Sequence, residues 1–198
     1  ASVGGGIPII KTFKVGFSAN QIESVYGILN GTTNFILTKL FEEKREFNEV
    51  LTQAQELGFA EADPTADISG LDAAYKIVIL TAVALKADIQ IDDVFYEGIE
   101  NVSLTDAVYL DELGFRIRLI AKAIKKDAAV SVSVYPTAIK KDHPLSTVRN
   151  EFNAIFSTGN MVGESMIYGK GAPGNYSKLV KLVNSSLPLP LGAFHAKR

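Results

Sequence analysis

The chain has 198 residues, 47% of them apolar and 21% charged, with a formal net charge of −2 and a mean hydropathy of +0.16. That balance belongs to a globular domain long enough for one good core. It carries no basic footprint for nucleic acid or an anionic membrane surface, and no apolar run reaches the roughly 18 residues of a membrane span. The absence of cysteine excludes disulfides, thiolate metal sites and cysteine nucleophiles, and agrees with a cytoplasmic setting.

Residues 7–17 follow Gly4-Gly5-Gly6 and read as a short amphipathic helix. Residues 23–29 (ESVYGIL) read as a strand that runs into Asn30-Gly31-Thr32-Thr33-Asn34, where Asn and Thr side chains can accept from the free N–H groups opening a helix over about 33–43. A further helix is predicted over 47–57, with Gly58 as its C-cap, and a long one over 71–87 after an acidic segment. Beyond residue 91 the pattern changes. A short helix is expected over 105–113, followed by strands at 115–119 and 130–134, where apolar and polar residues alternate, and at 154–157 and 165–168. Helices first and strands afterwards predict an α+β fold: a mixed or antiparallel sheet with helices covering one face, the other face free for dimerisation. There is no internal repeat and no convincing linker, so one domain is expected.

The densest chemistry lies at residues 58–76 (GFAEADPTADISGLDAAYK), which carry Glu61, Asp63, Asp67 and Asp72 and end on Lys76. Carboxylates this close to the apolar run 77–85 are costly to desolvate without partners, which points to a polar ligand. Asp72 and Lys76 are four apart in an alanine-rich segment, so one helix face presents both. A lysine held there is placed to move protons to or from a substrate. The competing reading is a solvated surface pair worth about 0.3–0.5 kcal/mol. An EF-hand read from Glu61 fails, because Ala66 stands where glycine is needed and Asp72 where the bidentate glutamate belongs.

Three other features carry less. The turn at 30–33 could hold a carboxylate or phosphate on its N–H groups, or be a plain cap. Residues 169–174 spell GxGxxG after a predicted strand, without the βαβ unit a dinucleotide fold requires, so a glycine turn near a ligand is the better reading. His143 and His195 have no second histidine at metal-ligand spacing, and no serine sits in GxSxG.

Together, residues 1–10 (ASVGGGIPII), 27–37 (GILNGTTNFIL) and 58–76 resemble, in order, the signature of the homoserine dehydrogenase family; 135–137, 143–145, 153–156 and 168–172 fit as well. The resemblance covers roughly residues 1–172 and implies a catalytic and dimerisation domain there, with 173–198 a divergent C-terminal helix and tail, because Pro173-Gly174-Asn175 replaces the family's Pro-Thr-Ala segment. It implies interconversion of L-homoserine and L-aspartate 4-semialdehyde with NAD or NADP, in threonine, methionine and isoleucine synthesis, by a cytoplasmic homodimer. By position, Lys76 is implied as the catalytic acid/base. Glu61, Asp67 and Asp72 are implied as carboxylates that bind the substrate ammonium and position Lys76, and Gly31 and Thr32 as a substrate-contact turn. Phe59 stands where the family often has tyrosine. Gly169 and Gly171 are implied as cofactor contacts. The backbone carbonyls of Val3, Gly5 and Ile7 are implied as a monovalent cation site such as Na+, whose glutamate would fall before Ala1. The family's nucleotide-binding half would also precede Ala1. The chain, which opens without methionine inside a motif-like run, is therefore expected to be a fragment, inactive alone. A Schiff-base lysine enzyme and a non-catalytic amino-acid-binding module are the alternatives.

Overall fold

The computed structural model describes residues 3–171; the tail expected over 173–198 lies outside them. Six strands form one mixed sheet, in the order β2-β4-β3-β1-β5-β6. They are β1 (Ile22–Ile28), β2 (Phe95–Tyr96), β3 (Phe115–Lys126), β4 (Ala129–Lys140), β5 (Phe152–Gly159) and β6 (Gly163–Lys170). All neighbours are antiparallel except β2, which runs parallel to β4 at one edge. The helices are α1 (Ile9–Lys11), α2 (Gly31–Glu42), α3 (Phe47–Glu56), α4 (Thr65–Ile68), α5 (Leu71–Leu80) and α6 (Leu104–Glu112). α1 continues as a π turn over Thr12–Gly16, and α5 as one over Thr81–Leu85 that stops where Lys86 takes positive φ.

Strand alternation sorts the side chains into two layers. Val25, Leu119, Ala121, Ala123, Val134 and Ile155 point towards the helices and merge into one core with Phe35, Ile36, Leu40, Ile77 and Leu80. At the centre of that face Gly27 leaves room for Leu29, whose side chain would come within 2.6 Å of a Cβ there. The opposite face carries a smaller cluster around Ile28, Ile120, Ile139, Ala154 and Phe156, flanked by half-buried Tyr26, Phe152 and Met166. The observed architecture is thus the expected α+β layer with helices over one face. β2 and α4 are elements the sequence reading passed over: β2 is two residues long, and α4 has no buried residue to betray a period.

A strap between β4 and β5 ties the sheet to α2. Arg118 on β3 is fully buried and donates to the carbonyls of Ile117 and Ser146 at 3.0 and 3.1 Å, while its Nε has no partner. Burial pushes its guanidinium down to about 10, with neighbouring Arg116 acting in the same direction. From α2, the two N–H groups of the buried Asn34 amide are shared among the carbonyls of Val148, Asn150 and Phe152, the shortest contact being 2.9 Å to Asn150, and Thr38 Oγ1 accepts from the Asn150 N–H. His143 caps the 3-10 turn Pro144–Thr147 through Nδ1, which accepts from the Leu145 N–H.

Candidate active site

Two helix starts meet at the end of β1. Asn30 has extended backbone, and its side-chain oxygen accepts from the Thr33 N–H at 2.9 Å, which opens α2. Among the described residues the N–H groups of Gly31 and Thr32, the first two of the helix, donate to no partner. A Cβ at Gly31 would sit 3.0 Å from the Glu151 carbonyl, so any other residue would push that backbone by a few tenths of an ångström. α5 begins after Gly70, whose φ of +83° is a left-handed turn that glycine adopts freely.

The side chains of these two starts form one hydrogen-bonded chain. Thr32 Oγ1 lies 3.0 Å from Asp67 Oδ2 and donates at 2.7 Å to the Phe59 carbonyl. The Asn30 amide donates to Asp67 Oδ1 at 2.7 Å and to Asp72 Oδ2 at 2.8 Å. Lys76 donates to the same Asp72 oxygen at 2.5 Å and to the Leu29 carbonyl at 2.9 Å. Its side chain is 23% exposed and that of Asp72 31%, so the pair is neither solvated nor sealed. Two of the three Lys76 protons are thus engaged among the described residues, and the third is available to a ligand.

The expected residues are not all brought together. Phe59 contributes its carbonyl to the chain, while its ring packs against Phe35 with centroids 5.0 Å apart. Glu61 is exposed, and among the described residues its carboxylate makes no hydrogen bond or ion pair. Asp63 is spent on structure: it accepts from the Thr65 hydroxyl and N–H, bonds that hold its carboxyl below the ordinary 3.8 and start α4. Here the bland reading of an acidic residue wins.

Gly169 ends up inside β6 and Gly171 just past it, both beside the N-terminal glycine segment. A cavity of about 340 Å³ lies between Gly6, Ile7, Pro8 and residues 167–171. Gly6 donates to the Lys170 carbonyl at 3.3 Å, and Gly171 to the Glu151 carbonyl that also abuts Gly31. Val3 and Ile7 are buried on this side, and Gly4 and Gly5 have positive φ of 75° and 60°. The Ile7 carbonyl already accepts from the Ile9 N–H at 2.8 Å. Two polar groups escaped the sequence reading. Asn30 was read only as a cap, although its amide protons reach both carboxylates. Asn153 is buried beside Gly171 with its side-chain oxygen unpartnered, a placement that only the strand register creates. Among the described residues no helix is long and apolar enough to cross a membrane.

The same fold with the same sequence pattern occurs in oxidoreductases. A homoserine dehydrogenase structure from Thiobacillus denitrificans matches with a TM-score of 0.84 and 38% identity, over 96% of this chain and 46% of that one. A hyperthermophilic archaeal homoserine dehydrogenase in complex with NADPH matches with a TM-score of 0.74 and 30% identity, over 96% of this chain and 55% of that one. The homoserine dehydrogenase family model matches residues 8–177, and the chain belongs to that family. The Synechocystis homoserine dehydrogenase is 49% identical over 176 residues, which are 87% of this chain and 41% of that protein. For the Bacillus subtilis homoserine dehydrogenase the figures are 48%, 87% and 40%. The chain therefore spans about two fifths of the length of these curated relatives.

Proposed function

We propose that this chain is the substrate-binding and catalytic part of an NAD(P)-dependent homoserine dehydrogenase, which interconverts L-homoserine and L-aspartate 4-semialdehyde. The observation that carries the proposal is the chain Lys76–Asp72–Asn30–Asp67–Thr32, assembled at the mouth of α2 and α5 from residues that are far apart in sequence.

The substrate is an amino acid with a reacting group at the far end. Its carboxylate is received by the free N–H groups of Gly31 and Thr32 at the positive end of α2. The ammonium is met by Asp67 and by the uncommitted carboxylate of Glu61. Lys76 faces the hydroxyl. In the oxidative direction the neutral amine takes the hydroxyl proton as the carbinol carbon loses hydride. In the reductive direction the ammonium returns that proton to the developing alkoxide. Asp72 and the Leu29 carbonyl hold the lysine nitrogen in place for both. When bound, the nicotinamide accepts or supplies the hydride. It would be held mainly by a nucleotide-binding half, with Gly169, Gly171 and the unpartnered Asn153 side-chain oxygen at the edge it would meet. The Val3, Gly5 and Ile7 carbonyls are assigned to a monovalent cation such as Na+; the support is the tight turn at Gly4-Gly5, although the Ile7 carbonyl would have to share with the Ile9 N–H it already accepts from.

The sheet face opposite the helices is assigned to homodimerisation in the cytoplasm, on the strength of its aromatic and aliphatic cluster around Phe156 and Met166. A Met166→Glu variant that sediments as wild type does would sink that assignment. For the activity, the isolated chain is expected to turn over homoserine negligibly with NAD or NADP. Joined to a nucleotide-binding half it is expected to oxidise homoserine, and Lys76→Ala to lower kcat by roughly 10²–10⁴. Normal kcat in that variant would overturn the assignment of Lys76.

A further inference from the structure

Capping α2 needs only one oxygen from the side chain at position 30, and serine, threonine or aspartate would serve as well as asparagine. The amide half of Asn30 is therefore surplus to the fold, yet both of its protons are committed. One reaches Asp67 Oδ1 at 2.7 Å and the other Asp72 Oδ2 at 2.8 Å, from a residue only 4% exposed. We propose that the Asn30 carboxamide is a positioning residue for the proton-transferring lysine: it ties the substrate-side carboxylate Asp67 to Asp72, and through Asp72 orients Lys76. This deepens the proposed dehydrogenase function and rests on it for its catalytic consequence.

The chemistry favours an amide at this point. Two carboxylates within 2.8 Å of one nitrogen repel each other. A lysine or arginine between them would quench the negative charge that an ammonium substrate needs. A neutral donor with two N–H groups holds both oxygens and leaves their charge in place. The geometry also fixes direction. Asp72 Oδ2 receives from Asn30 on one side and from Lys76 on the other, so releasing the first bond frees the carboxylate to rotate and carries the lysine nitrogen with it. Thr32 Oγ1 closes the far end, its single proton shared between the Phe59 carbonyl and Asp67 Oδ2.

The test uses Asn30→Ser, which keeps a capping oxygen and neutrality but is too short to bridge, with Asn30→Ala as the variant that loses the cap as well. In this chain, Lys76 is acetylated with a limiting amine reagent and quantified by mass spectrometry against exposed Lys125. Asn30→Ser is expected to raise Lys76 labelling by roughly 2–10-fold, the worth of one hydrogen bond, while its unfolding midpoint stays above that of Asn30→Ala. Unchanged labelling of Lys76 would reduce Asn30 to a cap and overturn the proposal.

In the intact enzyme the same variant is expected to lower kcat for homoserine by about 10²-fold with a smaller change in KM. In an Asp72→Asn background the further loss should be under about threefold, because the two residues act as one unit. Equal losses in both backgrounds would also overturn it. An unmodified intact enzyme that fails to oxidise homoserine would instead bring down the functional reading, and the labelling result would still decide the role of Asn30.

Discussion

Two helices of this chain carry a lysine and a carboxylate four residues apart, with the two lysines almost equally exposed, yet the pairs differ in orientation and in what lies beyond them. On α2, Lys39 is hydrogen-bonded to Glu43 near the helix C-terminus, with the carboxylate 44% exposed and the ammonium 5.5 Å from the Phe35 ring. On α5, Asp72 precedes Lys76 at the helix N-terminus, where the carboxylate also suits the helix dipole. The Lys39 pair continues along the surface, where Glu43 also lies 3.6 Å from Arg45. The Lys76 pair continues inwards, because its nitrogen also reaches the Leu29 carbonyl and its carboxylate is held by Asn30. A spacing motif thus specifies a pair, and its surroundings decide whether the pair is decoration or machinery.

The sharpest way to break this comparison is to remove each cation in turn. In the intact enzyme Lys76→Ala is expected to cost roughly 10²–10⁴ in kcat, while Lys39→Ala leaves kcat within about twofold. Steady-state kinetics on both variants checks this, and equal losses would erase the distinction. The carboxylates form the second contrast: Asp72→Asn should cost about 10²-fold in kcat by releasing the lysine nitrogen, and Glu43→Gln nothing measurable.

The acidic segment is itself held from outside. A Cβ at Gly98 would lie 2.1 Å from the Ile68 carbonyl and 2.5 Å from Ser69 Cα. Gly98→Ala must therefore displace the turn that carries Asp67, at about 3 kcal/mol of stability measured by denaturant unfolding. A neutral outcome would mean that the turn yields easily and that its position matters less than the hydrogen bonds imply.

The smallest expected effect concerns pH. The Lys39 hydrogen bond holds the Glu43 carboxyl below its ordinary 4.5. A depressed carboxyl contributes stability above its unfolded value and loses it as pH falls through the folded one. Lys39→Ala should therefore lower stability by about 0.3–0.5 kcal/mol at pH 7, and the gap should close as pH falls from 4.5 through the lowered value. Thermal unfolding at pH 7 and pH 3 measures it.

Much of the layout was legible because it rests on local signals. Alternation of apolar and polar residues marked 115–119 of β3 and 130–134 of β4, although each strand runs to twelve residues. Gly58 ended α3 with φ of +75°, and the Asn-Gly-Thr-Thr turn opened a helix, two residues earlier than the expected 33. The helix expected over 71–87 was right in place and wrong in kind at its end, since threonine hydroxyl back-bonding from Thr81 to Ile77 accompanies a switch to π geometry that no periodicity announces. β2 was missed because a two-residue edge strand has too few residues to show alternation.

By itself the sequence determined the α+β class, the existence and order of the long elements and the family, since these depend on periodicity, capping chemistry and motif order along the chain; how far each strand runs it did not determine. It also placed Lys76 and Asp72 on one helix face, because 3.6 residues per turn does so wherever a helix forms. Only the tertiary structure decided which acidic residues work together. Asp67, Asp72 and Asn30 share hydrogen bonds across 37 and 42 positions, while Asp63, four residues from Asp67, closes a local turn. Such pairings depend on how β1 delivers Asn30 against the start of α5. That is a property of packing between distant segments, and no local pattern encodes it.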